Sequence, residues 1–272
     1  MIVVTGATGN VGRPLVEALA AAGEQVTAVS RKKAEVPAGV HFRQADLIHP
    51  ESIEDTLRGA DSLFLLTAAD FLAGGDIDAV VEVVRRAGIR RVVLLSSQGV
   101  GTERHSPHLE RAILQSGLDW TVLRPGNFDS NALQWAHSVR TRREIAAPFG
   151  DIGLPAVDPT DIAQVAALAL REPGHEGKIY TLTGPVMITP RQQADAIADL
   201  LGEPVRFTEL SRARAHEQMV QYMPEPVVEA TLGVLGTPTE AEQRVSPDIE
   251  RLLGRPPRTF TDWAERNIAA FR

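Results

Sequence analysis

The stretch Thr5-Gly6-Ala7-Thr8-Gly9-Asn10-Val11-Gly12 decides the fold, because it joins a short β-branched run at the amino end to an amphipathic stretch. Gly6 permits a tight turn, Gly9 lets the backbone approach a pyrophosphate, and Gly12 allows a helix to pack closely on the strand. The first turn of that helix directs N–H groups and a positive dipole end at the diphosphate. The spacing is G-x-x-G-x-x-G, and the alternative is a tight turn without a ligand.

Around this turn, short β-branched runs alternate with helix-length amphipathic stretches, which indicates βαβ units and a parallel sheet. The predicted strands are Ile2–Thr5, Gln25–Ser30, Val40–Gln44, Ser62–Thr67, Arg91–Ser96 and Thr121–Arg124. The predicted helices between them are Val11–Ala22, Pro50–Arg58, Asp76–Ala87 and Pro107–Ser116. The fold class is therefore α/β, a Rossmann-type doubly wound parallel sheet with a smaller C-terminal α/β lobe.

The regularity weakens after Arg124, where Pro125-Gly126 opens a region predicted to be irregular as far as Pro155. The later pattern predicts a helix at Pro159–Leu170 capped by Asp158, a strand at Lys178–Leu182, a helix at Pro190–Leu201, a strand at Val205–Thr208, helices at Arg212–Met223 and Glu225–Gly233, and a final segment at Phe260–Phe271. We assign residues 1–184 to the sheet domain and residues 185–272 to a smaller lobe on the substrate side.

The composition of the 272 residues excludes several classes of function. With no cysteine, the chain has no disulfide, thiolate metal site or thiol nucleophile, so any redox chemistry needs a bound cofactor. The net charge of −7 argues against nucleic acid as a partner. No apolar run approaches about 18 residues, so no membrane partner is expected. The start of the chain lacks a secretory pattern, and we expect a cytoplasmic protein.

The end of the second predicted strand reads Ser30-Arg31-Lys32-Lys33, where an NAD site has an acidic residue for the adenosine ribose hydroxyl. The chain has only three lysines, and two of them lie here. This cationic group suits the 2′-phosphate of NADP better than the hydroxyl of NAD. A solvated basic turn is the alternative.

Several segments together resemble the NmrA-like branch of the atypical short-chain dehydrogenases/reductases. They are the glycine turn, Ala45-Asp46-Leu47, Ser96-Ser97, Ser116–Thr121 leading into Leu123–Gly126, and Thr181–Pro185. The resemblance implies a Rossmann domain that binds NAD(P) and a lobe that closes over the substrate. It also implies that Asp46 and Leu47 flank the adenine, that Thr67, Ala68 and Ala69 pass along the cofactor, and that the Pro125–Phe128 loop lies near the nicotinamide. Ser96 is a further candidate cofactor-binding residue.

The sequence departs from the wider family at its usual Tyr-x-x-x-Lys pair, which protonates an alkoxide. The segment where the pair is expected reads Thr102–Glu110, and the chain's two tyrosines, Tyr180 and Tyr222, have no lysine at that spacing. A quinone or extended enone would spread the developing charge into a weakly basic oxyanion, so the missing pair favours such an acceptor over a simple ketone.

Candidate catalytic residues are Ser97, His105 and His108, and candidate substrate residues are Gln98, Asn127, Phe128 and Asn131. The alternatives are exposed polar loop residues for the histidines and loop-capping hydroxyls for Ser96 and Ser97. Phe128 could form an aromatic wall with Phe71 and Trp135, although core packing is favoured for each of the three taken singly. The histidines and carboxylates show no metal-ligand spacing, so no metal is predicted.

The function predicted from these residues is hydride transfer from NADPH to a quinone-like or conjugated carbonyl substrate, with an aromatic polyketide quinone as one version. The resemblance also allows a regulator that senses NAD(P) without turning it over. An NAD(P)-dependent epimerase or isomerase is a third class, which the missing dyad disfavours. The oligomeric state is left open.

Overall fold

The computed structural model describes the backbone of residues 1–272 and every side chain except that of Ala69. The strands are β1 (Ile2–Val4), β2 (Val26–Ser30), β3 (His41–Gln44), β4 (Ser62–Leu65), β5 (Arg91–Leu95), β6 (Asp119–Pro125), β7 (Glu144–Pro148), β8 (Lys178–Leu182) and β9 (Arg206–Leu210). Every strand predicted from the sequence is confirmed within a few residues at its ends.

The helices alternate with the strands through the first half of the chain and dominate the last third. They are α1 (Gly12–Ala21), α2 (Glu51–Leu57), α3 (Ala69–Gly74), α4 (Ile77–Arg86), α5 (Gln98–Gly101), α6 (His108–Leu114), α7 (Ala136–Arg142), α8 (Pro159–Arg171), α9 (Pro190–Leu201), α10 (Arg212–Met219), α11 (Glu225–Gly236), α12 (Glu240–Gln243), α13 (Asp248–Leu253) and α14 (Phe260–Asn267). Two 3₁₀ segments span Asp129–Trp135 and Ile268–Ala270.

Seven strands form one sheet in the order β3-β2-β1-β4-β5-β6-β8, and the pairs from β3 to β6 are parallel. The strand order changes direction at β1, where the chain crosses from β3 to β4. Ligands of open α/β sheets bind beyond the carboxyl ends of the strands at such a switch point. The Rossmann-type sheet predicted from the sequence is confirmed.

Helices cover both faces of this sheet, as apolar strands require. On one face, α4 packs against α2 and α6, and the core there contains Val3, Leu63, Leu65, Val92 and Leu94. These strand residues alternate with Val4, Phe64 and Val93, which therefore point to the opposite face. Helices α1 and α8 pack together and bury Leu15, Leu19, Ile162 and Ala166.

The chain divides into two compact units, and each is described by itself. The first, the sheet unit, comprises Met1–Ser97, Ser106–Arg124 and Pro159–Thr181; the second comprises Gln98–His105, Pro125–Asp158 and Leu182–Arg272. The single boundary predicted near Gly184 therefore differs from this division, although the last segment of the second unit begins only two residues earlier. The difference arises because the chain leaves the sheet after β6 and returns to it at α8.

The second unit has its own core and a small parallel ribbon in which β7 pairs with β9. Its core includes Trp135, Val139, Ile145, Trp263 and Phe271. The prediction that residues from Pro125 to Pro155 are irregular is wrong, because this stretch contains a 3₁₀ segment, α7 and β7. The strand partner of β7 lies about sixty residues further along the chain, so no local pattern reveals the pairing.

Candidate cofactor site

The turn after β1 is held in place by the neighbouring strand β4. The Thr5 N–H donates to the Phe64 carbonyl at 3.0 Å, the Thr5 hydroxyl donates to the Leu66 carbonyl at 3.0 Å, and the Leu66 N–H donates back to that hydroxyl at 2.8 Å. Gly6 then turns with φ of +62°, a left-handed conformation that favours glycine. The carboxyl ends of β1 and β4 are thus joined where the chain enters the glycine turn.

The end of the turn is packed too closely for any side chain. A Cβ on Gly12 would lie 2.1 Å from the Gly6 carbonyl oxygen, whereas one on Gly9 would lie 3.3 Å from the same atom. Thr8, Gly9 and Asn10 are exposed, and α1 begins with no side-chain cap and no acidic residue in its first turn. An exposed backbone cradle that leads into an uncapped, acid-free helix start fits a diphosphate.

The cationic group at the end of β2 lies on the surface of the sheet unit. Ser30 is buried, and its hydroxyl donates to the Lys32 carbonyl at 2.5 Å, while the Gln44 side-chain amide donates to the Arg31 carbonyl at 2.9 Å. Arg31, Lys32 and Lys33 are exposed. The backbone of this segment is therefore fixed while the cationic side chains extend into solvent.

A carboxylate that the sequence did not reveal lies beside this cationic group. The Arg31 guanidinium forms an ion pair with Asp70, which lies in the first turn of α3. Asp70 is far from Arg31 in sequence, and it follows β4, which lies on the other side of β1 from β2. Only the strand order places the β4–α3 segment beside the end of β2.

Asp46 and Leu47, predicted to flank the adenine, have roles in the local structure. The Asp46 carboxylate accepts from the Ile48 N–H at 3.1 Å, and its backbone exchanges hydrogen bonds with the Ser52 hydroxyl. Leu47 is buried in the core beneath the loop. Thr67 and Ala68 follow β4 and are half-buried, while Ala69 lies outside the described side chains. The adenine contacts of Asp46 and Leu47, and the cofactor contacts of Thr67, Ala68 and Ala69, stay predictions.

A buried ionic network lies at the carboxyl ends of β5 and β6. The Glu110 carboxylate on α6 accepts from the Arg124 guanidinium at 2.9 and 2.5 Å and from the Ser96 hydroxyl at 2.5 Å. Hydrogen bonding to Glu110 raises the pKa of Arg124, with burial acting in the opposite direction. The Ser96 hydroxyl thus has a carboxylate partner that the sequence did not reveal. The Glu110 carboxylate, in turn, already has Arg124 and Ser96 as partners.

Gln98 and His105 belong to the second unit. Gln98 is the first residue of α5, and His105 lies in the segment that follows this helix. The Gln98 amide donates to the Ala241 carbonyl at 3.1 Å, and the His105 ring lies over Gly99, where a Cβ would come within 2.5 Å of Nδ1. Although His105 is partly exposed, desolvation by this packing lowers its pKa, and the charge of Glu242 opposes the shift.

Glu242 is a buried carboxylate beside this segment. It accepts from the Thr102 hydroxyl at 2.9 Å, the Arg104 guanidinium at 3.3 Å and the Thr239 N–H at 2.7 Å. Burial alone would raise the pKa of Glu242, but the hydrogen bonds from Thr239 and Thr102 and the charge of Arg104 together lower it. Glu242 therefore stays ionised and ties the segment after α5 to α12.

The predicted substrate residues after β6 are also in the second unit. The Asn131 amide donates to Asn127 Oδ1 at 2.7 Å, and Phe128 forms a parallel bridge with Val157. Pro125 is buried at the end of β6, and Phe128 is half-buried. The structure brings Asn127 and Asn131 together, while their contact with a substrate stays a prediction.

Two of the three residues considered for an aromatic wall lie in hydrophobic cores, which is the packing favoured for each of them from the sequence. Phe71 is buried in the core of the sheet unit, and Trp135 is buried in the core of the second unit. Core packing therefore holds for both.

The remaining candidate proton donors differ in exposure. Ser97 is half-buried, and His108 is exposed at the first position of α6. Tyr180 is buried and hydrogen-bonds to His175 Nδ1 at 2.9 Å, which gives it a structural role, and Tyr222 is exposed. No side chain on α6 supplies the tyrosine and lysine of the usual pair.

A group that could bind a metal lies on α10 and α11. The ligand atoms of His216, Glu225 and Glu229 all lie within 4.8 Å of one another. His216 Nε2 hydrogen-bonds to Glu225 at 2.7 Å, and Arg212 pairs with Glu229 at 2.6 Å. These contacts account for the cluster, and the absence of a metal stays a prediction. In the described part of the chain, no helix is long and apolar enough to cross a membrane.

The parallel sheet, its switch point and the glycine turn define a dinucleotide-binding protein of the Rossmann class. A family described as NAD(P)H-binding matches residues 6–173. The chain belongs to this family, in the NmrA-like branch of the atypical short-chain dehydrogenases/reductases, and it is an NAD(P)H-dependent reductase. The resemblance, the cofactor and the enzyme class predicted from the sequence are confirmed.

Two relatives align over the whole chain. The (4-alkanoyl-5-oxo-2,5-dihydrofuran-3-yl)methyl phosphate reductase of Streptomyces griseus is 36% identical over 282 residues, covering 100% of this chain and 99% of the relative. The NAD(P)H azoreductase of Xenophilus azovorans is 30% identical over 288 residues, covering 100% and 99%.

Solved structures show the same architecture. The NADPH complex of a quinone oxidoreductase from Escherichia coli has a TM-score of 0.80 at 25% identity and covers 98% of this chain and 99% of that one. NmrA, a negative transcriptional regulator solved with NADP, has a TM-score of 0.75 at 20% identity over 98% and 95% of the two chains, which shows the shared fold alone.

Proposed function

We propose that this chain transfers hydride from NADPH to an acceptor whose double bond is conjugated to a carbonyl, with quinones as the leading acceptor class. The observation that carries the proposal is the arrangement at α6. This helix has neither tyrosine nor lysine, and its acidic residue Glu110 is buried between Arg124 and Ser96. The helix therefore lacks the tyrosine and lysine pair that protonates a strongly basic alkoxide.

The acceptor class follows from where the charge goes. Bound NADPH supplies the two electrons as a hydride from its dihydronicotinamide ring. A quinone or enone delocalises the negative charge over its oxygen, so a hydrogen-bond donor or water is sufficient to complete the reduction. A simple ketone would need a general acid with a matched pKa. His108, at the exposed start of α6, is a candidate donor of the final proton.

The residues that hold the cofactor belong to the sheet unit. The glycine turn and the start of α1 would receive the diphosphate, and Arg31 with Lys32 would receive the 2′-phosphate. Arg31 suits this role because its planar guanidinium binds phosphate oxygens in pairs.

The names of the relatives support an acceptor of this kind. The Streptomyces griseus relative is named for a dihydrofuranone, whose ring double bond is conjugated to carbonyl groups, and the others are named for azo and quinone substrates. All three acceptors take up hydride at an electron-poor π system. An aromatic polyketide quinone is one version of such a substrate.

The test is NADPH oxidation by the purified chain with four acceptors: a quinone, an alkanoyl dihydrofuranone, an azo dye and a saturated ketone. We expect saturable turnover with the quinone or the dihydrofuranone and none with the ketone, and turnover of the azo dye alone would contradict the proposal. Equal or faster turnover of the ketone would contradict the proposal. Tight NADPH binding without turnover of any acceptor would favour a cofactor-sensing protein instead.

A second arm tests the proton donor. His108→Gln should lower turnover several-fold if the imidazole delivers the proton. The matched control is His41→Gln, since His41 is also exposed and lies on β3. Identical rates in both variants would leave water as the donor and remove His108 from the proposal.

A further inference from the structure

The Arg31 guanidinium at the end of β2 already has a carboxylate partner. Asp70 of α3 forms an ion pair with it, and the two side chains are 52% and 54% exposed. An exposed pair of this kind is weak and exchanges readily with other charged groups. Asp70 is therefore a side chain that a phosphate could displace from Arg31.

The backbones on either side of this pair are fixed. The Gln44 amide and the Ser30 hydroxyl hold the segment that carries Arg31. On the other side, Phe71 is 2% exposed and anchors α3 in the core, so its neighbour Asp70 is held at the surface of the same unit. The pair is thus a built feature of the end of β2, formed by side chains that move on fixed backbones.

The site consequently contains both groups that distinguish the two nicotinamide cofactors. A cation near the adenosine ribose binds the 2′-phosphate of NADP, and a carboxylate there accepts from the 2′-hydroxyl of NAD. In this chain the carboxylate comes from the segment after β4 instead of from the end of β2, where the sequence shows only cations.

We propose that Asp70 is a specificity-determining residue that lets this enzyme use NADH as well as NADPH. This inference rests on the proposed function, in which Arg31 and Lys32 receive the 2′-phosphate. With NADPH, the phosphate takes the Arg31 guanidinium and Asp70 withdraws from it. With NADH, Asp70 stays beside Arg31 and accepts a hydrogen bond from the ribose hydroxyl.

The direct test is the dissociation constant of each cofactor, measured from the fluorescence of the reduced nicotinamide, in Asp70→Asn. We expect NADPH to bind about threefold tighter, because no carboxylate competes for Arg31. We expect NADH to bind about threefold weaker, because an amide is a poorer acceptor than a carboxylate. The ratio of the two constants should therefore move by about tenfold towards NADPH.

The matched control is Asp78→Asn, which removes the same charge from an exposed position on α4. It should leave the ratio of the two constants unchanged. If Asp78→Asn moves the ratio as far as Asp70→Asn does, the effect is general electrostatics and the proposal is overturned.

A second variant separates this inference from the proposed function. In an Arg31→Gln background, Asp70→Asn should no longer tighten NADPH, since the competition has no cation to act on. If Asp70→Asn leaves both constants unchanged in the otherwise native chain while NADPH still binds and is oxidised, the role of Asp70 is refuted and the proposed function stands. If neither cofactor binds to the native chain, the proposed function itself fails.

Discussion

The glycine turn after β1 and the cationic group after β2 are the two halves of the proposed cofactor site, and they are built in opposite ways. The turn is determined by the backbone, with Gly6 at φ of +62° and Gly12 against the Gly6 carbonyl oxygen. The end of β2 is determined by exposed side chains, with Arg31 in an ion pair with Asp70. In the proposed site, the first half would receive the diphosphate that all dinucleotides share, and the second half would select among them.

This difference indicates which changes the site tolerates. A side chain at Gly12 meets backbone atoms that cannot move, so the cost falls on folding and on every cofactor alike. A change at Arg31 or Asp70 meets solvent, so the cost falls on selectivity and is small. Stability and selectivity should therefore be separable by mutation.

The strongest test of the backbone half is Gly12→Ala. The new Cβ would lie 2.1 Å from the Gly6 carbonyl oxygen, so we expect a loss of about 3 kcal/mol in the free energy of unfolding. Both NADPH and NADH should bind too weakly to measure. Denaturant unfolding and cofactor titration check the two effects.

The companion variant is Gly9→Ala, whose Cβ would lie 3.3 Å from the same oxygen. It should leave the unfolding free energy nearly unchanged while weakening both cofactors. If Gly9→Ala proved as destabilising as Gly12→Ala, the graded packing of the turn would be contradicted.

The buried ionic network of Glu110, Arg124 and Ser96 depends on side chains, as the cationic group does, but it is buried, as the turn is. Glu110→Gln tests its contribution to stability. The substitution leaves Arg124 beside a neutral amide and should cost about 2–3 kcal/mol of unfolding free energy, since a buried charge loses its partner. Glu82→Gln, on the exposed side of α4, serves as the control and should cost almost nothing. Equal stability of the two variants would show that Glu110 is unimportant for the fold.

The side-chain half is tested by Arg31→Glu. Reversing this charge should weaken NADPH by about tenfold or more, because an anion then faces the 2′-phosphate, while NADH changes much less. The unfolding free energy should stay within about 0.5 kcal/mol of the native value, because the side chain is half exposed. An equal loss for both cofactors would place the 2′-phosphate elsewhere.

The smallest effect concerns pH and the second unit. The folded-state pKa of Glu242 lies below its usual 4.5, so its stabilising contribution is present above that value and is lost as the pH falls below it. Glu242→Gln should therefore lessen the decline of unfolding free energy below about pH 4.5. Glu240→Gln, exposed on the same helix, should behave like the native chain; a slope unaltered by Glu242→Gln would contradict the assignment.

The sequence predicted the parts of the molecule that depend on local pattern. The alternation of short β-branched runs with amphipathic stretches predicts a parallel sheet, and the glycine spacing predicts the turn. Both follow from chemistry within a few residues of one another, which is why the strands and the fold class are confirmed.

The rest depends on contacts between distant parts of the chain. From the sequence, Glu110 is an ordinary helix residue, and only the folded sheet brings Arg124 and Ser96 to it. Asp70 likewise has no partner nearby in the sequence, and the strand order places it beside Arg31. The pairing of β7 with β9 likewise joins segments separated by more than fifty residues. In each case the order of the strands determines which residues meet, and the local sequence pattern carries no information about that order.

The central claim is hydride transfer to a conjugated acceptor, and a single turnover with NADPH carrying deuterium at nicotinamide C4 tests it most directly. The alkanoyl dihydrofuranone is the acceptor, and mass spectrometry with NMR locates the label. We predict that cofactor carrying deuterium at both C4 positions delivers one deuterium to the ring carbon β to the carbonyl groups, with the second hydrogen taken from solvent. Oxidation of the cofactor with no deuterium in the product, or a product labelled at a carbonyl carbon, would contradict the account.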